Sequence, residues 1–100
     1  MNHYTDQAGY HGIRAQSVWL FRAAQPPGNH PFGAYFTTLP RTTRNLAQRL
    51  RIPKSKTRFV FEFTDAGDLL PLPGGRGDYV FYFPRDYDVT ESRQQYHGPT

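Results

Sequence analysis

Cysteine is absent from this 100-residue chain. That excludes a disulfide framework, a thiol nucleophile and any zinc site built on thiolates. No long apolar run occurs and the mean hydropathy is −0.72, so no membrane-spanning helix and no membrane partner is expected. The N-terminus lacks the basic, apolar and small-residue order of a secretory signal. Neither a GxxxxGK[ST] loop nor a GxGxxG after a strand is present, which removes the common nucleotide fingerprints. The GGRG at 74–77 precedes a strand pattern, the wrong side for phosphate at a helix N-terminus. His3, His11, His30 and His97 lack metal-ligand spacing and no HExxH exists, so no metal is expected. His97, near a polar end, reads as an inert surface residue.

What the chain does have is rings. Phe, Tyr and Trp make up 16% of it, enough to build one aromatic core. At 11.6 kDa the whole of 1–100 reads as a single domain. Nine Gly and nine Pro lie between the aromatic runs and indicate turns. Charge is uneven beneath a net +4: residues 41–58 hold seven of the twelve basic residues and no acid, whereas 62–91 hold seven of the eight acids. A basic block of that density attracts anions or simply solvates a helix face and a loop.

Asn2 to Tyr4 reads as a short strand, with Asp6 capping a weak helix within 6–16 that Gly9 and Gly12 interrupt. Ser17 to Arg22 reads as a strand. The segment Gln25 to Gly33, with three prolines and two glycines, is expected to be a surface loop long enough to flap over a site. Ala34 to Thr38 predicts a second strand, followed by a helix over Arg44 to Leu50 capped by Thr42 or Thr43 and stopped by Pro53. Arg58 to Thr64 is the clearest strand, because Phe59, Phe61 and Phe63 alternate with Val60 and Glu62. A Pro/Gly loop from Leu69 to Gly77 leads to a strand over Asp78 to Phe83, and from about Asp86 a polar tail is expected to fray. The fold class is α+β: short, mostly antiparallel strands with one or two short helices.

Three motifs occur in order on separate strands: NHYT at 2–5, GAYFT at 33–37 and DYVFY at 78–82. In this the chain resembles the ADP-ribosyltransferase superfamily, most of all its small toxin-type clade with His, Tyr and Asp on three strands. In the related poly(ADP-ribose) polymerases the matching segments are His-Gly-Ser, Gly-x-Tyr-Phe and a Glu-Tyr followed by apolar residues. The resemblance extends from Asn2 to Phe83. It implies an ADP-ribosyltransferase-like core and a mono-ADP-ribosyltransferase that consumes NAD+ without metal, releases nicotinamide and modifies a protein or nucleic-acid acceptor. A toxin or effector acting in the cytoplasm, delivered there without a readable signal peptide, fits that family, as does a cognate immunity protein or antitoxin.

On the same resemblance, His3 holds the adenosine ribose, the Tyr4 backbone the nicotinamide amide, and Thr5 adds a hydroxyl. Tyr35 lays its ring on the nicotinamide, Asp78 stabilises the positive charge that develops on ribose, and Arg22 is a pyrophosphate candidate. Such bond cleavage shares the oxocarbenium problem of glycoside hydrolysis, for which a nearby carboxylate is a general answer. Asp in place of Glu shortens the catalytic arm by one methylene, which favours single transfer or NAD+ hydrolysis over chain elongation. Asp86 and Asp88 are alternatives for the acid. Arg49, Arg51, Lys54 and Lys56 are candidates for gripping the acceptor. A rival of another class is a non-enzymatic nucleic-acid-binding module, made of aromatic strands beside a basic block.

Overall fold

Phe59 to Phe63 forms the strand on which the rest is assembled. Its alternation sends Phe61 and Phe63 to one face and Val60 to the other, and all three are fully buried. The computed structural model describes residues 1–73 and 78–100. In chain order these form β1 (Asn2–Thr5), α1 (Gln7–Arg14), β2 (Trp19–Phe21), β3 (Ala34–Thr37), α2 (Leu46–Leu50), β4 (Phe59–Phe63), β5 (Leu70–Pro71), β6 (Val80–Phe83), β7 (Tyr87–Val89) and β8 (Gln94–Pro99). Six strands make one sheet in the order β5-β6-β3-β1-β4-β8, and β2 pairs with β7 in a second. Every strand pairing is antiparallel. The expected α+β class, with short antiparallel strands and two short helices, is the one observed.

The two faces of β4 bury different partners. On one, Trp19, Phe21, Tyr87 and Val89 from the small sheet meet Phe36, Phe61 and Phe63, and Tyr10 of α1 closes the cluster. Ring pairs there favour tilted and edge-on contacts, such as Phe21 to Phe36 at 5.3 Å and 88°. On the other face, Tyr4 and Val60 pack against Leu46 of α2. Helix α1 starts where Asp6 accepts a hydrogen bond from Gly9 N–H at 2.9 Å, as its capping residue type implies.

Three expectations need correction. Helix α2 begins at Leu46 rather than Arg44, so Asn45 and neither Thr42 nor Thr43 holds the cap position; Thr43 N–H instead closes a turn onto Pro40 O. Asn45 precedes it in left-handed backbone, without a side-chain cap bond. The helix also ends before Pro53 can act: Arg51 turns left-handed at φ 56°, and Ile52 N–H closes onto Ala47 O. Secondly, the expected loop after Leu69 contains the edge strand β5, where Pro71 is tolerated because no further strand needs its missing N–H. The remainder of that loop, at 74–77, lies outside the described residues.

The third correction concerns the polar tail from Asp86, which is ordered. Tyr87 and Val89 enter the core, and β8 pairs along β4 from Phe59↔Pro99 to Phe63↔Gln94. His97 is exposed yet not inert: its Nδ1 lies 2.7 Å from the Tyr10 hydroxyl, and its ring stacks on Phe61. Polar side chains hid a strand whose stabilisation comes from its backbone ladder.

Candidate functional site

The central sheet parts between β1 and β3. Four residue pairs join β1 to β4, whereas β1 and β3 share only Asn2↔Thr37. Beyond that pair the strands diverge and a cleft of about 310 Å³ opens, lined by His3 and Tyr4 from one strand and Tyr35 and Phe36 from the other. This volume is at the lower end of small-molecule sites, roughly 300–1,000 Å³. Two hydrogen bonds exchanged between Met1 and Phe63 fix the phase of β1 against β4. Peptide groups alternate along an antiparallel strand, so the N–H and C=O of Tyr4 point away from β4, toward β3. Sequence order placed NHYT and GAYFT on separate strands; the fold makes them the two walls of one cleft.

His3 bridges the gap. Its Nδ1 lies 2.9 Å from Tyr35 O, and its half-buried ring packs on Phe21 at 4.6 Å and Phe36 at 5.7 Å. A carbonyl only accepts, so Nδ1 carries the hydrogen and Nε2 is left as an acceptor. Burial lowers the His3 pKa below its ordinary value and the bond to Tyr35 O only partly opposes this, so the ring is neutral at pH 7. His3 is therefore packed against core rings, although it lies near the N-terminus.

Tyr35 is half-buried and fixed at both ends. Its ring stacks on Tyr82 at 5.8 Å and 24°, and its hydroxyl donates to Pro31 O in the 25–33 loop. Tyr4 directs its ring into the second core cluster and donates its hydroxyl to Leu39 O at 2.7 Å. Burial, reinforced by the Glu62 charge, pushes that phenol far above its ordinary pKa, so it stays a donor.

The 25–33 loop borders the cleft. It is pinned at its base by paired Ala24 and Gly33, and it contributes Pro26, Pro27 and His30 to the lining. From the basic block, Arg51 and Ile52 complete the rim on the side of α2.

Other expected residues stand apart. Thr5 is buried beside Gly9 and does not line the cleft. Arg22 is exposed after β2 and outside the lining. Asp78 is exposed in the turn before β6, outside the lining but two residues from Val80, which belongs to it. Asp86 is tied to Ala23 N–H at 2.7 Å, and Asp88 pairs opposite Leu20 in the small sheet. The four basic candidates separate too. Arg51 lines the cleft, Arg49 is exposed outside it, Lys54 lines a neighbouring recess, and Lys56 is held by Asp6 at 2.8 Å.

Sequence reasoning missed Phe36 and His30 as cleft residues. Phe36 is also a buried core residue; His30 carried no spacing signal, and the 25–33 loop brings it to the cleft. Among the described residues no three His, Asp or Glu side chains converge as metal ligands, and no helix is long and apolar enough to cross a membrane. No family model matches the chain, and comparison with curated proteins and with solved structures likewise gives no match.

Proposed function

We propose that this domain is a mono-ADP-ribosyltransferase of the toxin or effector type that consumes NAD+, with hydrolysis of NAD+ as the reaction when no acceptor is present. The observation that carries the reading is the meeting of His3, Tyr4 and Tyr35 across the parted strands. A neutral histidine with Nδ1–H already committed offers Nε2 to a ribose hydroxyl. The peptide group of Tyr4 points into the gap, the position from which a backbone recognises a carboxamide. Tyr35, held by Tyr82 and the Pro31 carbonyl, supplies an apolar ring surface already oriented for nicotinamide.

In the reaction the bond from ribose C1′ to the nicotinamide nitrogen breaks, and its electron pair leaves with nicotinamide. The ribose gains oxocarbenium character and is captured by an acceptor nucleophile or by water, which releases its proton to solvent. Asp78, in the turn leading to Val80, is assigned the stabilisation of that charge. The aromatic strands give less support to a pure nucleic-acid binder. Phe36, Phe61 and Phe63 are buried in the core and present no stacking surface.

Incubating the purified chain with NAD+ and measuring nicotinamide by chromatography tests the proposal. Time-dependent release that requires His3 and Asp78 is the expected result. An unchanged NAD+ pool, with or without cell extract as acceptor source, refutes it.

A further inference from the structure

Arg51 stands at the junction of two recesses. It closes α2 in left-handed backbone, a conformation that glycine and asparagine adopt readily and other side chains enter under strain. Its side chain lines the cleft on one flank and, on the other, a second recess of about 660 Å³. That recess is lined by Arg41, Arg51 and Lys54 together with the polar residues Asn45, Gln48, Thr57 and Thr100, and no Asp or Glu is among its lining residues. Arg41 is held in place by Glu62 at 3.5 Å and by the Tyr96 ring at 4.0 Å beneath its guanidinium. Lys56, although in the same sequence block, is turned to Asp6 and takes no part.

We infer that this second recess is the acceptor subsite and that the acceptor is a single-stranded nucleic acid. The inference rests on the transferase reading for the chemistry, but not for the binding. A recess of this size exceeds what one phosphate fills and suits a nucleotide unit. Guanidinium forks match phosphate oxygens, and a lysine adds a point charge. A polynucleotide carries one charge per unit, so it engages the cations of 41, 51 and 54 in succession and extends along the basic 41–58 segment, which contributes no acid of its own although Glu62 and Asp6 pair with Arg41 and Lys56. An acidic peptide would need its carboxylates at matching intervals. Because Arg51 borders both recesses, a nucleotide seated in the second lies next to the ribose in the first. Its heteroatom bonds to C1′ as nicotinamide departs with the electron pair, and the proton on that heteroatom passes to water.

The test is fluorescence anisotropy of short labelled oligothymidylate and oligouridylate across a salt series, with poly-glutamate as competitor. The parent chain should bind the oligonucleotides with a steep inverse dependence on salt. Lys54→Gln should flatten the log–log slope by about 0.7, the value for one phosphate contact on a single strand. Lys56→Gln removes the same charge outside the recess and should leave the slope unchanged. Equal losses in the two variants, equal displacement by poly-glutamate, or no binding at low salt each overturn the assignment. Nicotinamide release without acceptor is read in parallel. Its absence beside intact, Lys54-dependent binding would refute the transferase reading while leaving the nucleic-acid site standing.

Discussion

Replacing His3 separates its two roles, because the ring both supports the core and faces the cleft. His3→Ala removes ring contacts with Phe21 and Phe36 and the bond to Tyr35 O. Truncating a fully buried aromatic side chain costs about 3–5 kcal/mol; for a half-buried imidazole roughly half of that applies, about 2 kcal/mol. The lost hydrogen bond adds about 1 kcal/mol. A loss of about 3 kcal/mol lowers the melting temperature of a domain this size by roughly 12–24 °C. His3→Asn places an amide N–H near the position of Nδ1 and recovers the bond to Tyr35 O, so its loss should be only about 2 kcal/mol. It does not replace Nε2. Calorimetric titration with NAD+ at a temperature where each variant is folded should therefore show both variants weakened alike, by about 1–3 kcal/mol. Thermal unfolding within 1 kcal/mol of the parent for the alanine variant would refute the packing assignment. Parental NAD+ affinity in His3→Asn would refute Nε2 as the ligand acceptor.

The same residue sets a pH dependence. Its pKa is depressed in the folded state from an ordinary value of 6.5, chiefly by burial. The unfolded chain thus binds the extra proton first as pH falls, and stability decreases with it. The His3 contribution is complete above the unfolded value and declines as pH drops below it toward the lower folded value. Denaturant titrations at a series of pH values should show this decline in the parent and a shallower one in His3→Asn; equal slopes would contradict it.

Asp78→Asn should lower nicotinamide release by about 10²–10³ with NAD+ affinity near normal, since an uncharged amide cannot stabilise developing positive charge; parental turnover would transfer the role to Asp86 or Asp88. In α1 the two glycines should respond in opposite directions to alanine. At Gly9 a Cβ collides with Thr5 Oγ1, whereas at Gly12 it meets nothing within 4 Å, so Gly12→Ala should stabilise by about 0.5–1 kcal/mol and Gly9→Ala should destabilise by chemical denaturation. Arg51→Gly should relieve left-handed strain of about 1 kcal/mol or more and raise the denaturation midpoint, while weakening oligonucleotide binding.

Side-chain alternation made β4 and β3 legible, because Phe59, Phe61 and Phe63, or Ala34 and Phe36, place one face in the core. The same signal failed for β8. There Gln94, Gln95 and His97 lie along a sheet edge, and the stabilising groups are backbone amides that every residue carries. Helix α2 was legible as a helix but not in its limits, since Asn45 and Arg51 adopt left-handed backbone where tertiary packing of Leu46 fixes the start and a backbone closure fixes the end. Of the candidate cleft, His3, Tyr4 and Tyr35 could be named in advance, whereas Thr5, Arg22 and Asp78 lie outside its lining. The convergence of the first three could not be read, because it depends on β1 and β3 sharing one pair and then parting.

That parting also constrains where the missing charge must come from. Cleavage through an oxocarbenium-like state needs an anion near ribose, yet the cleft is lined by His3, tyrosines, prolines and aliphatic residues, with Arg51 at its rim. Of the other acids, Glu62 pairs with Arg41, Asp6 with Lys56, Asp68 with the Tyr87 hydroxyl, Asp65 with Gly67 N–H and Asp86 with Ala23 N–H, Glu91 is exposed in the turn at 91–93, and none of them lines the cleft. Asp88 lies on the small sheet, opposite Leu20. Asp78 differs in position, because its turn leads directly to Val80 at the cleft wall, where β6 begins, and Tyr79 O between them accepts from Thr37 Oγ1 and Thr38 N–H. Those two bonds tie the turn bearing Asp78 to the end of β3, where β1 and β3 still touch. On the transferase reading, the carboxylate one residue before that junction is the acid next to the cleft wall in the chain, whereas Asp86 is held by its backbone partner Ala23. On that reading, Asp78 is therefore assigned the role by the path from its turn to the cleft wall and not by contact with the cleft.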